Sequence, residues 1–233
     1  MIDAAKRAAA EAAALLVRDG MLPGLGSGST MRYAVGAIGR RVADEGWRVA
    51  GIPTSEEIAA LARRCGIPLE ELGERPIDLA LDGADEVEID TLRLIKGLGG
   101  ALLREKMVAE SSVRFAILAD GTKLVSTLGQ RSPLPVEISR FGHKATTRRV
   151  AELGGQPVLR GAIGAPFVTD GANFVLDCPG FFPMADPFTL ERCLRAIAGV
   201  IGTGLFLLPV EQVLVGQDDG SVRTLRGRAV EGQ

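Results

Sequence analysis

Apolar and polar positions along this chain follow two periods, and the period switches repeatedly between residue 3 and about residue 128. In residues 3–18 apolar positions recur every three or four residues, which predicts an amphipathic helix ended by Asp19-Gly20. MLPGL is a short apolar run and predicts a strand, and MRYAVGAIGRRVADE returns to the helical period. WRVAGIPT predicts a strand, SEEIAALARRCG a helix with Ser55 as its N-cap, and IPLEEL a short strand. PIDLALDGAD and LRLIKGLGG each read as a strand running into a loop, ALLREKMVAESS as a helix, and RFAILAD as a strand buried on both faces. Strands that alternate with helices pair in parallel, so the expectation is an α/β layer architecture. The rhythm changes near Leu128. GQRSPLPVEI holds two prolines; TTRRVAELGG and PFTLERCLRAIAGV predict helices; PVLRGA, PFVTD and NFVLDCP predict strands, with a hairpin-like turn at Asp170-Gly171. This pattern predicts a small α+β unit over 129–204, inserted in an α/β domain made of 1–128 and 205–233. VEQVLVG and VRTLRG predict a closing hairpin within the larger domain.

Composition narrows the classes. A chain of 233 residues forms one large domain or two small ones. It is 46% hydrophobic but only 4% aromatic, so its core must be built from Ala, Val, Leu and Ile. No apolar run reaches the roughly 20 residues of a membrane span. Asp3, Lys6, Arg7 and Glu11 break up the N-terminal alanines, which reads as an amphipathic helix and not a signal peptide. A formal charge of -2 without a basic block argues against nucleic acid and membrane as partners. Cys65, Cys178 and Cys193 are odd in number and far apart, as expected of buried free thiols in a reducing cytoplasm. The single histidine, His143, excludes a His-rich metal site and reads as a surface or capping residue. No metal and no cofactor are expected.

Arginine outnumbers lysine 22 to five. A lysine retained beside glycines therefore marks a place where a compact ammonium suits the site, although a chance distribution gives the same picture. Lys96 is such a residue. It opens the glycine cluster Gly97, Gly99 and Gly100, which lets backbone approach a ligand. Glu105 follows on the early helix. Its helical neighbours Ala101, Val108 and Ala109 are all apolar, and a carboxylate on an apolar face needs a partner or a function. Desolvation raises the pKa of such a group toward that of a general base, whereas the helix N-terminus opposes the rise. Sequence leaves the balance open. Asp82 and Asp85 follow a strand, and strand C-termini form the ligand crevice of α/β folds. Ala84 and Val87 interrupt the alternation of oxygen ligands that a calcium loop requires.

GLGSGST, residues 24–30, takes a strand through three glycines into a helix whose first turn holds Ser29 and Thr30. Free amides and hydroxyls at a helix N-terminus suit a phosphate, and a tight turn with a serine cap is the plainer alternative. The pattern is neither a P-loop nor a dinucleotide fingerprint. Lys123, in DGTK after a strand, is placed to reach an anion or to sit on the surface. Thr54 and Ser55 end one strand and open a helix, for which capping is sufficient.

GLGSGST, PTSEEIAALA, LDGADEV, IKGLGGALLREK, LADGTKLV, PLPVEI, VTDGANFVLDC and TGLF, in this order, resemble the type A family of ribose-5-phosphate isomerases. The matching pieces run from Leu25 to about Val222. The resemblance implies interconversion of D-ribose 5-phosphate and D-ribulose 5-phosphate without a metal, on a Rossmann-like domain with an inserted ferredoxin-like domain, in a homodimer or homotetramer. It implies that Glu105 is the base and that Asp82 and Asp85 assist ring opening and proton transfer between oxygens. Lys96 and the backbone of Gly97, Leu98 and Gly99 would stabilise an enediolate. The segment Asp82, Gly83, Ala84 and Asp85 would bind the sugar. Ser27, Gly28, Ser29 and Thr30 would bind the phosphate, with Lys123 and Lys6 assisting. The chain departs from the family pattern at Ser27, where threonine is frequent, and at Gly202, where an acid is expected. A non-catalytic sugar-phosphate sensor is the alternative; a nicotinamide-dependent oxidoreductase lacks its glycine spacing.

Overall fold

The computed structural model describes residues 2–227. Its helices there are α1 (Ile2–Ala14), α2 (Ser29–Glu45), α3 (Glu56–Arg64), α4 (Leu102–Glu110), α5 (His143–Ala151) and α6 (Pro187–Arg195). The largest sheet places its strands in the order Val222–Arg226, Gln212–Gly216, Phe115–Asp120, Leu79–Gly83, Pro23–Leu25 and Ile52–Pro53. All neighbours pair in parallel except the closing hairpin of Gln212–Gly216 with Val222–Arg226. Successive residues of a strand face opposite sides, and here both sides are covered. Leu79, Leu81, Ala116 and Leu118 join a core with α1, α2 and α3, whereas Ala80, Ile117 and Ala119 join a second core with Val108 and Ala109 of α4. Burial on both faces is why RFAILAD reads as an unbroken apolar run.

A second sheet is wholly antiparallel, in the order Val200–Thr203, Leu134–Ile138, Phe174–Cys178 and Val158–Leu159. Along the chain it runs strand, α5, strand, strand, α6, strand, which is the ferredoxin-like arrangement. Val150 of α5 and Leu194 of α6 pack on Val136, Ile138 and Leu176. A third, mixed sheet of Leu205–Phe206, Leu94–Ile95, Glu86–Glu88 and Leu124–Val125 bridges the two. The segment Val200–Phe206 passes directly from the antiparallel sheet into the mixed one at Gly204. That residue's N–H donates to Pro135 O at 2.7 Å and its carbonyl accepts from Lys96 N at 2.9 Å. A Cβ there would lie 2.3 Å from Lys96 O, so only glycine fits.

Local expectations need correction at several points. α1 ends at Ala14, and Leu16 and Val17 continue through tighter bonds to Ala13 and Ala14. IPLEEL contributes a single parallel bridge, Leu69 with Gly51, and WRVAGIPT only the strand Ile52–Pro53. Asp82 and Gly83 belong to the strand Leu79–Gly83, so the expected acidic loop shrinks to Ala84 and Asp85. Only Pro166 of PFVTD lies in a strand, Ala165–Pro166, which pairs with Gly161–Ala162 across Ile163-Gly164; Asp170-Gly171 instead lies in a turn closed by Ala172 N to Thr169 O. Of the three thiols only Cys178 is buried, and Cys65 and Cys193 are half-buried.

Candidate active site

The strands Pro23–Leu25, Leu79–Gly83 and Phe115–Asp120 end side by side, and the loops that leave them meet in one cleft of about 120 Å³. After the first strand comes Gly26. Its N–H donates to Leu81 O at 2.8 Å, and a Cβ on it would lie 2.1 Å from Asp82 Oδ1. The glycine is therefore what lets the aspartate approach. Gly28 has φ 99°, a left-handed conformation that turns the chain into α2 without a side-chain cap. The amides of the first turn stay open toward the cleft, where an anion is favoured. Lys6 Nζ donates to Ser29 Oγ at 2.9 Å, and the Ser27 hydroxyl lies 2.7 Å from that of Thr54 and 2.8 Å from that of Ser55. Ser55 also caps α3, accepting from Ile58 N. Thr54 and Ser55 thus brace the loop from behind.

At the floor of the cleft Lys96, Asp82 and Glu105 are all buried, at 3%, 2% and 5% exposure. Lys96 Nζ lies 3.0 Å from Asp82 Oδ2 and 3.2 Å from Glu105 Oε2, and donates to Gly83 O at 2.6 Å. Asp82 Oδ1 accepts from the amides of Ser27 and Gly83. Glu105 Oε2, by contrast, is off the hydrogen-bonding direction of Lys96 and has no donor among the described residues. Burial, followed by the charge of Asp82, pushes the Glu105 carboxyl up to about 8, against the pull of Lys96. Burial also raises Asp82, opposed by Lys96 and by the amides of Gly83 and Ser27. Both acids share one ammonium. Asp82 has two backbone amides beside that ammonium, whereas Glu105 Oε2 has none among the described residues. Burial disfavours charge on Lys96, but Asp82, Glu105 and Asp85 outweigh it and its pKa rises. Asp85 stands higher in the cleft, half-buried, and accepts from Leu98 N at 2.9 Å.

Of the residues expected to bind substrate, Ser27, Gly28, Ser29, Thr30, Gly83, Ala84, Asp85, Lys96, Gly97, Gly99, Glu105 and Lys123 line this cleft, together with Lys6. Asp82 lies behind Lys96. Leu98 does not line it: its side chain is exposed and its amide is taken by Asp85. Among the described residues no group of three His, Cys, Asp or Glu side chains is disposed to hold a metal ion, and no helix is long and apolar enough to cross a membrane. His143 opens α5 away from the cleft, with its ring edge-on to Phe174. Two residues that sequence reasoning passed over act on the site. Asp120 caps the turn Gly121–Lys123 that presents Lys123. Arg160 holds the carbonyls of Gly97 and Leu98 from the end of the strand Val158–Leu159. Asp120 was legible as a cap before DGTK, whereas nothing local marks Arg160.

An open helix N-terminus, an ammonium and a donor-poor buried carboxyl at the C-terminal edge of a parallel sheet define an α/β protein equipped for acid/base chemistry on an anionic ligand. The model of the ribose 5-phosphate isomerase A (phosphoriboisomerase A) family matches residues 50–220. The chain is 49% identical to ribose-5-phosphate isomerase A of Synechococcus sp. (strain JA-3-3Ab), over 96% of this chain and 97% of that protein. It is 51% identical to that of Roseiflexus castenholzii, over 93% of each. Among solved structures, ribose 5-phosphate isomerase A of Methanocaldococcus jannaschii superimposes with a TM-score of 0.89 at 40% identity, covering 95% of this chain and 97% of that one. A D-ribose-5-phosphate isomerase in complex with phospho-erythronic acid gives 0.91 at 33% identity, over 97% and 99%. The chain belongs to the ribose 5-phosphate isomerase A family.

Proposed function

We propose that this chain interconverts D-ribose 5-phosphate and D-ribulose 5-phosphate by moving a proton between C2 and C1, with Glu105 as the base. The observation that carries this reading is the Glu105 carboxyl itself, buried beside Lys96 with one oxygen lacking a donor among the described residues and its pKa pushed up to about 8. The names of the relatives, and the near-complete coverage of their chains, support it.

The phosphate is held by the amides and hydroxyls of Ser27, Gly28, Ser29 and Thr30, with Lys123 and Lys6 adding positive charge. Asp85, which lines the cleft, assists ring opening, and Asp82 acts from behind through its pair with Lys96. Glu105 then takes the C2 proton of the open-chain aldose, and the electron pair moves through C1 onto the carbonyl oxygen. The resulting enediolate gains a negative charge as Glu105 loses its own. The total charge around Lys96 is thus unchanged, and its ammonium, freed from Glu105, stabilises the new oxyanion together with the Gly97–Gly99 backbone. The O2 proton passes to O1 with the help of Asp85. Glu105 returns its proton to C1, and the ketose is formed. This scheme requires Glu105 unprotonated when substrate binds, so kcat/KM rises with pH through about 8.

Residues 129–204 form a small inserted domain with a role in oligomerisation, and the protein acts as a homodimer or homotetramer in the cytoplasm. The test is incubation of the chelated protein with ribose 5-phosphate in heavy water. Formation of ribulose 5-phosphate with deuterium incorporated supports it. A folded protein that binds the sugar phosphate yet forms no ketose and exchanges no proton is a sensor, and the proposal fails.

A further inference from the structure

The loop from Lys96 to α4 is held from outside the larger sheet. Arg160 sits at the end of the strand Val158–Leu159, its backbone fixed by Val175 O and by Phe167 N. Its Nη1 donates to Gly97 O at 3.0 Å and to Leu98 O at 3.1 Å. Asp177 braces the guanidinium from the other side, accepting from Nε at 2.9 Å and pairing with Nη2. The Phe167 ring lies 5.6 Å from the guanidinium carbon and covers Gly100, where a Cβ would come within 2.4 Å of that ring. A trans peptide directs its N–H opposite to its C=O. Pinning Gly97 O on Arg160 therefore turns the Leu98 N–H the other way, onto Asp85 at 2.9 Å. Pinning Leu98 O does the same for the Gly99 N–H. That amide makes no hydrogen bond among the described residues, and Gly99 lines the cleft.

We propose that Arg160 is a positioning residue: by fixing two successive carbonyls it aims the Gly99 N–H at the oxygen that becomes negative in the enediolate and locks Asp85 through the Leu98 N–H. The inference rests on the isomerase reading. It gives the inserted unit a part in the reaction, because the only side chain acting on these carbonyls from that unit is a guanidinium 62 positions along the chain from Leu98. Lysine cannot replace it, since one ammonium does not span two carbonyls and Asp177 together.

The test compares wild type with Arg160→Met, Arg160→Lys and Asp177→Asn in kcat, KM, the pH profile and affinity for phospho-erythronic acid, an acid whose charged planar group resembles the enediolate. A misaligned oxyanion donor predicts a fall in kcat of about 30-fold for Arg160→Met and about tenfold for Arg160→Lys, with KM changed less than about threefold. Asp177→Asn shows the same pattern more weakly. Affinity for phospho-erythronic acid falls in proportion to kcat/KM, and the midpoint of the pH profile stays in place because Glu105 is untouched. A merely structural residue would lower the melting temperature without this split. Wild-type kcat in Arg160→Lys, or a loss confined to KM, overturns the proposal, and Arg160→Lys decides alone if the methionine variant does not fold. If wild type itself forms no ketose, it is the isomerase reading that fails.

Discussion

Glu86 and Glu105 are both buried glutamates, at 0% and 5% exposure, and they have opposite surroundings. Glu86 accepts from three backbone amides, Gly129 at 2.6 Å, Arg131 at 2.5 Å and Ser132 at 2.7 Å, so both of its oxygens are satisfied. It has no ion pair among the described residues. Those amides belong to the crossing into the antiparallel sheet, and the carboxylate ties that crossing to the mixed sheet. Glu105 has a cation 3.2 Å away but, among the described residues, no donor aimed at Oε2. Burial is nearly the same, so burial alone does not decide what a buried acid does. Directed donors turn one glutamate into an anchor, and their absence leaves the other available for a proton.

Substitutions can break this contrast. The largest effect is expected at Glu105→Gln, which should lower kcat by about a thousandfold while substrate affinity stays within a few-fold, measured by ketose formation and by binding. Turnover within tenfold of wild type would remove Glu105 as the base. Next comes Glu86→Gln, where an amide nitrogen must face backbone N–H groups. Stability should drop by about 2–4 kcal/mol in denaturant titration. A drop below about 0.5 kcal/mol would show that the crossing does not depend on this carboxylate.

Glu105→Gln should act in the opposite direction on stability. The folded-state pKa of Glu105 is raised from 4.5 to about 8, so its carboxyl favours the folded state below its ordinary range and that contribution disappears as pH rises through about 8. Glutamine resembles the protonated form at every pH. The melting temperature of the variant should therefore exceed that of wild type by a widening margin between pH 5 and pH 8, and level off above. A constant margin would mean that the carboxyl is not raised. Wild-type kcat/KM should climb across the alkaline part of that window.

The smallest effect is expected at another buried glutamate, Glu137, where among the described residues only Oε1 accepts, from Thr169 Oγ1 and Asn173 Nδ2, both at 2.9 Å. Glutamine keeps that oxygen, so Glu137→Gln should cost only about 1 kcal/mol. A loss as large as that of Glu86→Gln would show that the number of directed donors is not what sets the cost.

LDGADEVEID shows where reading from sequence stops. Asp82, Asp85, Glu86, Glu88 and Asp90 look alike as one acidic run, open to a solvated loop as much as to a site. Folding sorts them: Asp82 and Glu86 are buried, Asp85 and Glu88 are half-buried, and Asp90 is exposed. The strands that do the sorting, Glu86–Glu88, Leu94–Ile95, Leu124–Val125 and Leu205–Phe206, are two or three residues long. Such strands carry no readable periodicity and exist only through their partners. Arg160 is invisible for the same reason.

By itself, the chain's residue order determined the alternation of strands and helices, the change of architecture near Leu128, the glycine-lined helix start and the apolar face that carries Glu105. These are local properties, set by side-chain period, by turn residues and by backbone freedom at glycine. Tertiary structure decided the direction of the Glu105 shift, the division of three ligands around one ammonium and the clamp on Gly97 and Leu98. Each of these depends on groups delivered by distant segments to within hydrogen-bonding distance, where orientation counts as much as identity.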